Sequence, residues 1–313
     1  MRRLLLLGLL LPLAACGGSE DGGKRMALAL DFQPNAVHAG IYAAQRLGLD
    51  GDNGVELEIR VPAASTDSLK LLAAGRADMA VVDIHDLGLA RERGQDVVGV
   101  GALVQRPLAA VIAGSLDVRS PRDLEDRRVG VTGLPSDEAL LRAVVEDDGG
   151  DFDAVRTVTI GFSAVPSLIA GRVDAVVSFW NVEGVALRER GVQTREFRVD
   201  QFGAPRYPEL VLAVERETLK EDRALVDDAL AALRAGTRAA LADRTAAVDD
   251  IVTASGGDES LVRAQLAAVA PALRPPLVLD RPVLEEWAEF DARFGILDAP
   301  PEVERAFRLR PSS

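Results

Sequence analysis

Short apolar runs closed by polar turns alternate along most of the chain with stretches of helical periodicity, and this alternation predicts an α/β fold. Met26 to Leu30 reads as a strand, Ile41 to about Leu47 as an apolar helix, and Val55 to Val61 as a second, alternating strand. Ser65, Thr66 or Asp67 then stands where a helix through Ala74 would be capped. Met79 to Val82, Val97 to Val104 and Leu108 to Ala113 follow as apolar segments, with Gln105-Arg106-Pro107 as a crossover. Ser120-Pro121 marks a helix start, Arg128 to Val131 and Thr157 to Ile160 read as strands, and Ser163 to Ala170 as a helix. Ala175 to Ser178 is another strand, and Pro208 to Val214 would return the chain to its first half. The remaining pattern is helical: Ala224 to Leu241, Thr245 to Ala254, Glu259 to Ala268 and Pro282 to Phe294.

One cassette occurs twice. Leu72-Ala-Ala-Gly-Arg-Ala-Asp78-Met-Ala-Val81 returns as Leu168-Ile-Ala-Gly-Arg-Val-Asp174-Ala-Val-Val177, and Arg91-Glu-Arg-Gly94 returns as Arg188-Glu-Arg-Gly191. Each copy reads as a helix ending at Ala-Gly, an Arg-x-Asp turn, a strand, and a helix that stops at Gly. The copies lie about a hundred residues apart, too far for a solenoid and suited to two similar lobes facing each other across a cleft. Asp78 and Asp174 stand where a strand begins, which marks them as structural turn residues rather than site residues.

The amino-terminal pattern differs. Met1-Arg2-Arg3 precedes an apolar run from Leu4 to Ala15, the length of a signal-peptide core and too short to span a bilayer. It ends Ala14-Ala15-Cys16-Gly17, and Cys16 is the only cysteine, so an intrachain disulfide is ruled out. This junction resembles a bacterial lipoprotein signal, which implies cleavage before Cys16, acylation of Cys16 and a membrane anchor. Residues 1–15 are then the signal and 16–25 a Gly-rich tether. Beyond the tether, 26–112 and 208–310 form a discontinuous first lobe and 113–207 the second.

A net charge of −13 argues against nucleic acid and polyanionic partners. Two histidines and one cysteine give no zinc pattern, so no metal is expected, and the phosphate-binding and serine-hydrolase motifs are absent. Candidate chemistry gathers instead at predicted strand ends, where open α/β sheets bind ligands. There lie Asp31, Phe32, Asn35, His38 and Tyr42 after the first strand, Ser65 after the second, and Asp83 after the third. Gln105 lies in the crossover, Ser136 in the turn after Val131, and Trp180, Asn181 and Glu183 after the repeated cassette. Phe179 also ends that strand. Tyr42 and Trp180 offer flat faces, the carboxylates accept from an amine, and the amides both donate and accept, which suits a flat heteroaromatic ligand. Structural roles compete at several positions: Asp31 as a turn cap, Asn35 and His38 as holders of their loop, and Tyr42 and Trp180 as core.

Leu30-Asp-Phe-Gln-Pro-Asn-Ala-Val-His-Ala-Gly-Ile-Tyr42-Ala-Ala closely resembles the Leu-Asp-Trp-x-Pro-Asn-x-x-His-x-Gly-x-Tyr-x-Ala opening of the thiamine-pyrimidine-precursor binding proteins of ABC importers. The resemblance continues in Val104-Gln-Arg-Pro, in Gly171-Arg-Val-Asp-Ala and in Trp180-Asn-Val-Glu183. It implies a two-lobe periplasmic-binding fold of the second type, a monomer with no cofactor, and a small heteroaromatic ligand of aminomethyl- or hydroxymethylpyrimidine type enclosed between lobes. It also implies an ABC permease and its ATPase subunit as partners and a place outside the cytoplasmic membrane. Phe32 stands where the family commonly has Trp. Related receptors take riboflavin, alkylsulfonates or nitrate. A related eukaryotic group makes the pyrimidine from its own lysine and histidine with pyridoxal phosphate; His38 matches that histidine, whereas Lys24, Lys70 and Lys220 fall in no strand-end motif.

Overall fold

The computed structural model describes residues 24–62 and 67–309, so the expected signal, Cys16 and Ser65 lie outside the described residues. Among the described residues ten strands are formed: β1 Lys24–Ala29, β2 Val55–Arg60, β3 Met79–Asp83, β4 Val97–Ala102, β5 Ala109–Ala113, β6 Arg128–Val131, β7 Arg156–Thr159, β8 Ala175–Phe179, β9 Arg195–Arg198 and β10 Leu210–Glu215. Lys24 and Arg25 thus belong to β1 and not to a tether. β9, four residues with charge at both ends, carries no apolar run by which the sequence would announce it.

The strands make two five-stranded sheets, ordered β2-β1-β3-β10-β4 and β7-β6-β8-β5-β9. In the first, β1 runs parallel to β2 and β3, and β10 is antiparallel to β3 and β4. In the second, β6 runs parallel to β7 and β8, and β5 is antiparallel to β8 and β9. The repeated cassette accounts for this likeness. Asp78 Oδ2 accepts the Ala27 N–H at 2.8 Å, and Asp174 Oδ2 accepts the Arg128 N–H at 2.9 Å. Each repeated Asp therefore fastens the start of its strand to the parallel neighbour in its own sheet, β3 to β1 and β8 to β6.

The chain crosses between sheets twice, at 103–108 and at 199–209, and the crossings are tied together. The Leu103 and Val104 N–H groups donate to Leu210 O, and the Leu108 N–H donates to the Glu209 carboxylate at 2.6 Å. Arg106 of one crossing is ion-paired with Asp200 of the other. Helix Glu259–Val269 packs on the Ala36–His38 turn of the first lobe and on the segment after β8 of the second, so it straddles both.

Helices cover the sheets with apolar faces. Arg223–Ala242 lies against Ala39–Arg46 so closely that a Cβ on Gly236 would stand 2.1 Å from Gly40 O, which restricts that crossing to glycine. Helix Arg281–Arg293 buries Trp287, Phe290 and Asp291.

Candidate functional site

Between the sheets lies a cavity of about 160 Å³ whose lining comes from both lobes. Asp31, Phe32 and Asn35 arrive from the loop after β1, Asp83 from the end of β3 and Asp86 from the helix it opens, Ile84–Glu92. Thr132, Ser136 and Asp137 follow β6, Phe162 follows β7, and Ser178, Phe179, Asn181 and Glu183 close β8. Strand carboxyl ends build most of the site, as expected of open α/β sheets.

The loop after β1 is locked by one imidazole. Asn35 caps the turn Ala36–His38, its side-chain oxygen accepting the Val37 N–H at 3.1 Å. The Asn35 N–H donates to His38 Nδ1 at 3.2 Å, which leaves the ring proton on Nε2 to be donated to Asp31 Oδ1 at 2.7 Å. His38 is fully buried and does not line the cavity; it orients Asp31, which does.

Other expected residues are placed apart from the cavity. Trp180 is 2% exposed; its indole N–H donates to Pro107 O at 3.0 Å and its ring lies under the Arg198 guanidinium at 4.0 Å. An aromatic face already covered from one lobe's core and fastened to the crossing is packing, not cavity wall. Tyr42, half-buried on helix Ala39–Arg46, packs against the core, and burial raises its hydroxyl pKa. Gln105 donates through its amide to Ala102 O and Val278 O, at 3.0 and 3.2 Å, holding the first crossing against a C-terminal loop.

The cavity does bring together Asp31, Phe32, Asn35, Asp83, Ser136, Asn181 and Glu183. Asn181 stands out among them. It has no exposed surface, and among the described residues neither its Oδ1 nor its Nδ2 has a hydrogen-bond partner; the Ser178 hydroxyl is likewise unpartnered. Buried polar groups are ordinarily paired, because an unpaired one costs about 1–3 kcal/mol.

Six lining residues are carboxylates, Asp31, Asp83, Asp86, Asp137, Glu183 and Glu209, and no described lining residue is Lys, Arg or His. Asp137 is occupied, accepting from the Thr132 hydroxyl and from the Gly133 and Leu134 N–H groups. Asp83 accepts the His85 N–H at 2.8 Å, yet burial and the neighbouring Glu209 push its carboxyl up to about 7. Burial, reinforced by Asp83, likewise pushes Asp86 up to about 7, and burial raises Glu183 and Glu209. Behind Asp83, the buried His85 ring donates from Nδ1 to both Asp291 oxygens at 2.8 and 2.9 Å. Burial alone would lower the imidazole, but attraction to Asp291 and the other carboxylates holds it at about 10. Among the described residues no group of three or more His, Cys, Asp or Glu is arranged to hold a metal ion.

Glu209 and Phe162 are lining residues that sequence reasoning missed. Glu209 precedes β10, which is antiparallel to β3, so its amino end, not its carboxyl end, reaches the cavity. Phe162 follows Gly161 as an exposed aromatic past β7 and meets Phe32 across the lobes, ring centroids 5.8 Å apart. An aromatic immediately after a predicted strand end was the available signal for it.

Residues 35–247 match the family described as NMT1/THI5 like. A formylaminopyrimidine-binding protein of Halalkalibacterium halodurans is 34% identical over 69% of this chain and 67% of its own length. A 4-amino-5-hydroxymethyl-2-methylpyrimidine phosphate synthase of Legionella pneumophila is 27% identical over 57% of each chain. In fold, the periplasmic aliphatic sulphonate binding protein SsuA of Escherichia coli superposes with a TM-score of 0.75 at 15% identity, covering 90% of this chain and 97% of that one. With two sheets of matching order and a cavity between them, this chain has the two-lobe periplasmic-binding fold and belongs to the NMT1/THI5-like family.

Proposed function

We propose that the protein is the extracytoplasmic solute-binding subunit of an ABC importer, anchored through acylated Cys16, and that it encloses a thiamine pyrimidine precursor between the lobe of the first sheet and the lobe of the second; the first lobe boundary lies at the 103–108 crossing and not at the expected 112, because β5 pairs with β8 and β9 in the second sheet. The observation that carries the ligand class is Asn181, a buried amide on the cavity wall with donor and acceptor both unpartnered. A donor beside an acceptor complements the edge of an aminopyrimidine, where a ring nitrogen accepts next to an exocyclic amine that donates. Asp31 and Asp83 can take the amine's other hydrogen, and Phe32, Phe162 and Phe179 supply aromatic surface. The acidic lining disfavours a sulfonate or nitrate, which would seek cationic side chains or free helix N-termini. The name of the Halalkalibacterium relative supports the same ligand class.

Ligand contacts on both lobes favour the closed state by their differential affinity, and the closed form is the one a permease would read. The synthase reading has less support. Lys24 and Lys70 are surface residues paired with Asp222 and Asp67, Lys220 is exposed, and His38 is committed to Asp31.

A thermal-shift series on the mature protein tests the ligand class, using formylamino- and hydroxymethyl-aminopyrimidines, riboflavin, an alkanesulfonate and nitrate. The expected result is a rise in Tm with the pyrimidines alone. A rise with sulfonate alone refutes the pyrimidine assignment. For the anchor, Cys16→Ser should release soluble protein and abolish labelling by a radioactive fatty acid.

A further inference from the structure

The two crossings between lobes meet at one pair of carboxyls. Leu210 stands opposite Asp83 in the register of β10 on β3, and the Glu209 carbonyl just before it accepts the Ile84 N–H at 3.0 Å, so Glu209 and Asp83 are neighbours at the cavity wall. The Glu209 carboxylate accepts the Leu108 N–H at 2.6 Å and the Ala109 N–H, where the first crossing enters β5 of the second lobe. It is also hydrogen-bonded to the Asp83 carboxyl, which ends β3 of the first lobe. Two ionised carboxylates offer acceptors only, so that bond exists only while one of them carries a proton. A single proton thus completes the chain of bonds from the sheet of one lobe to the first residues of β5 in the other. The bond is made in an arrangement where Phe32 and Phe162 already touch across the cleft.

The charged groups around the pair do not replace that proton. The His85 N–H donates to Asp83, and its imidazolium faces both carboxyls, but its charge is balanced by Asp291 of helix Arg281–Arg293. Asp86, one turn further on helix Ile84–Glu92, and Asp137 beyond it in the second lobe add acid, with Arg93 acting on Asp86. From the second crossing come the buried Tyr207 hydroxyl, which stays neutral, and Asp200, which is ion-paired with Arg106. Loss of the proton to water would leave two like charges within hydrogen-bond reach in a poorly solvated seam, where repulsion is strong. We propose that Asp83 and Glu209 hold one proton between them and that it is a latch on lobe closure: with it the pair clasps the lobes at the crossings, and without it the repulsion parts them. The latch is made of the chain's own residues, so it acts whatever ligand the cavity takes.

Ligand-free mature protein tests the latch. The Leu108 and Ala109 amide signals, followed by nitrogen–proton NMR from about pH 5 to 9, report the charge of the carboxylate they donate to. Both should shift in one step centred near pH 7, and the radius of gyration from small-angle X-ray scattering should rise with the same midpoint. Asp83→Asn puts an amide hydrogen in place of the shared proton while its oxygen still accepts the His85 N–H. An amide does not lose that hydrogen in this range, so the variant should show no step and stay compact at the highest pH. Glu209→Gln, whose amide can donate to Asp83 and accept from Leu108, should also stay compact. Absence of the step in the wild type overturns the shared proton. A step that persists in both variants overturns its assignment to this pair, and a step without a rise in radius of gyration overturns the latch. The wild-type measurements decide even where a variant fails to fold.

Discussion

Replacing Asn181 with Leu should make the unliganded protein more stable and the receptor worse. Asn181 has no exposed surface and offers a donor and an acceptor, neither of them paired among the described residues. Each such group costs about 1–3 kcal/mol, whereas a leucine of comparable size has nothing to leave unpaired. Some of that gain is lost to imperfect packing of the branched side chain, so a net stabilisation of about 1–2 kcal/mol is expected. For a protein of this size that raises Tm by about 2–4 °C per kcal/mol, which calorimetric melting of the unliganded protein resolves. Binding moves the other way. Two hydrogen bonds to the pyrimidine edge are lost, and affinity by titration calorimetry should fall by about 1–3 kcal/mol, roughly five- to 150-fold. A residue that costs stability and is retained for binding is the usual trade at a functional site. The reasoning fails if Asn181→Leu melts several degrees below wild type, because the amide then has a partner in the native state. It fails equally if the variant binds as wild type does.

Stability should also fall as pH rises from about 5 to 8. Asp83 and Asp86 titrate near 7 in the folded protein instead of near 3.8, and His85 near 10 instead of 6.5, so over this range the native state holds more protons than the unfolded one and loses that advantage with rising pH. Urea midpoints measured across the range check this, and Asp86→Asn should flatten the slope; midpoints that climb with pH would contradict it. Asp291→Asn strips the buried His85 of its partner and should destabilise by about 3–5 kcal/mol at pH 6, the usual cost of breaking a buried pair, with the loss shrinking as pH approaches 10 and His85 gives up its charge. Trp180→Phe removes the bond to Pro107 O and the contact with Arg198, so denaturant melts should show a loss of about 1–3 kcal/mol, while pyrimidine affinity stays within about twofold; a tenfold loss of affinity at unchanged stability would return Trp180 to the cavity wall.

The duplicated Gly-Arg-x-Asp cassette, the apolar runs and the helical C-terminal pattern made two similar α/β lobes legible from local sequence alone. All three are local signals, because strand and helix periods and turn residues are written in neighbouring positions. The strand-end rule also located Asp31, Asp83, Asn181 and Glu183, since a parallel strand's carboxyl end is fixed once the strand is recognised. What the sequence left open was which way a side chain faces after the strand stops. Trp180 and Asn181 are adjacent, yet one is pinned to Pro107 and the other lines the cavity, because the turn after β8 rotates successive side chains to opposite surroundings. His38 and Asp31, seven residues apart, became one unit only when the loop folded back. Glu209 entered the site because β10 returns antiparallel from the other lobe, and His85 acquired its charge from Asp291, 206 residues away. Local periodicity determined the elements; the pairing of distant polar groups, which depends on burial and on contacts no window of sequence contains, was decided by the tertiary structure alone.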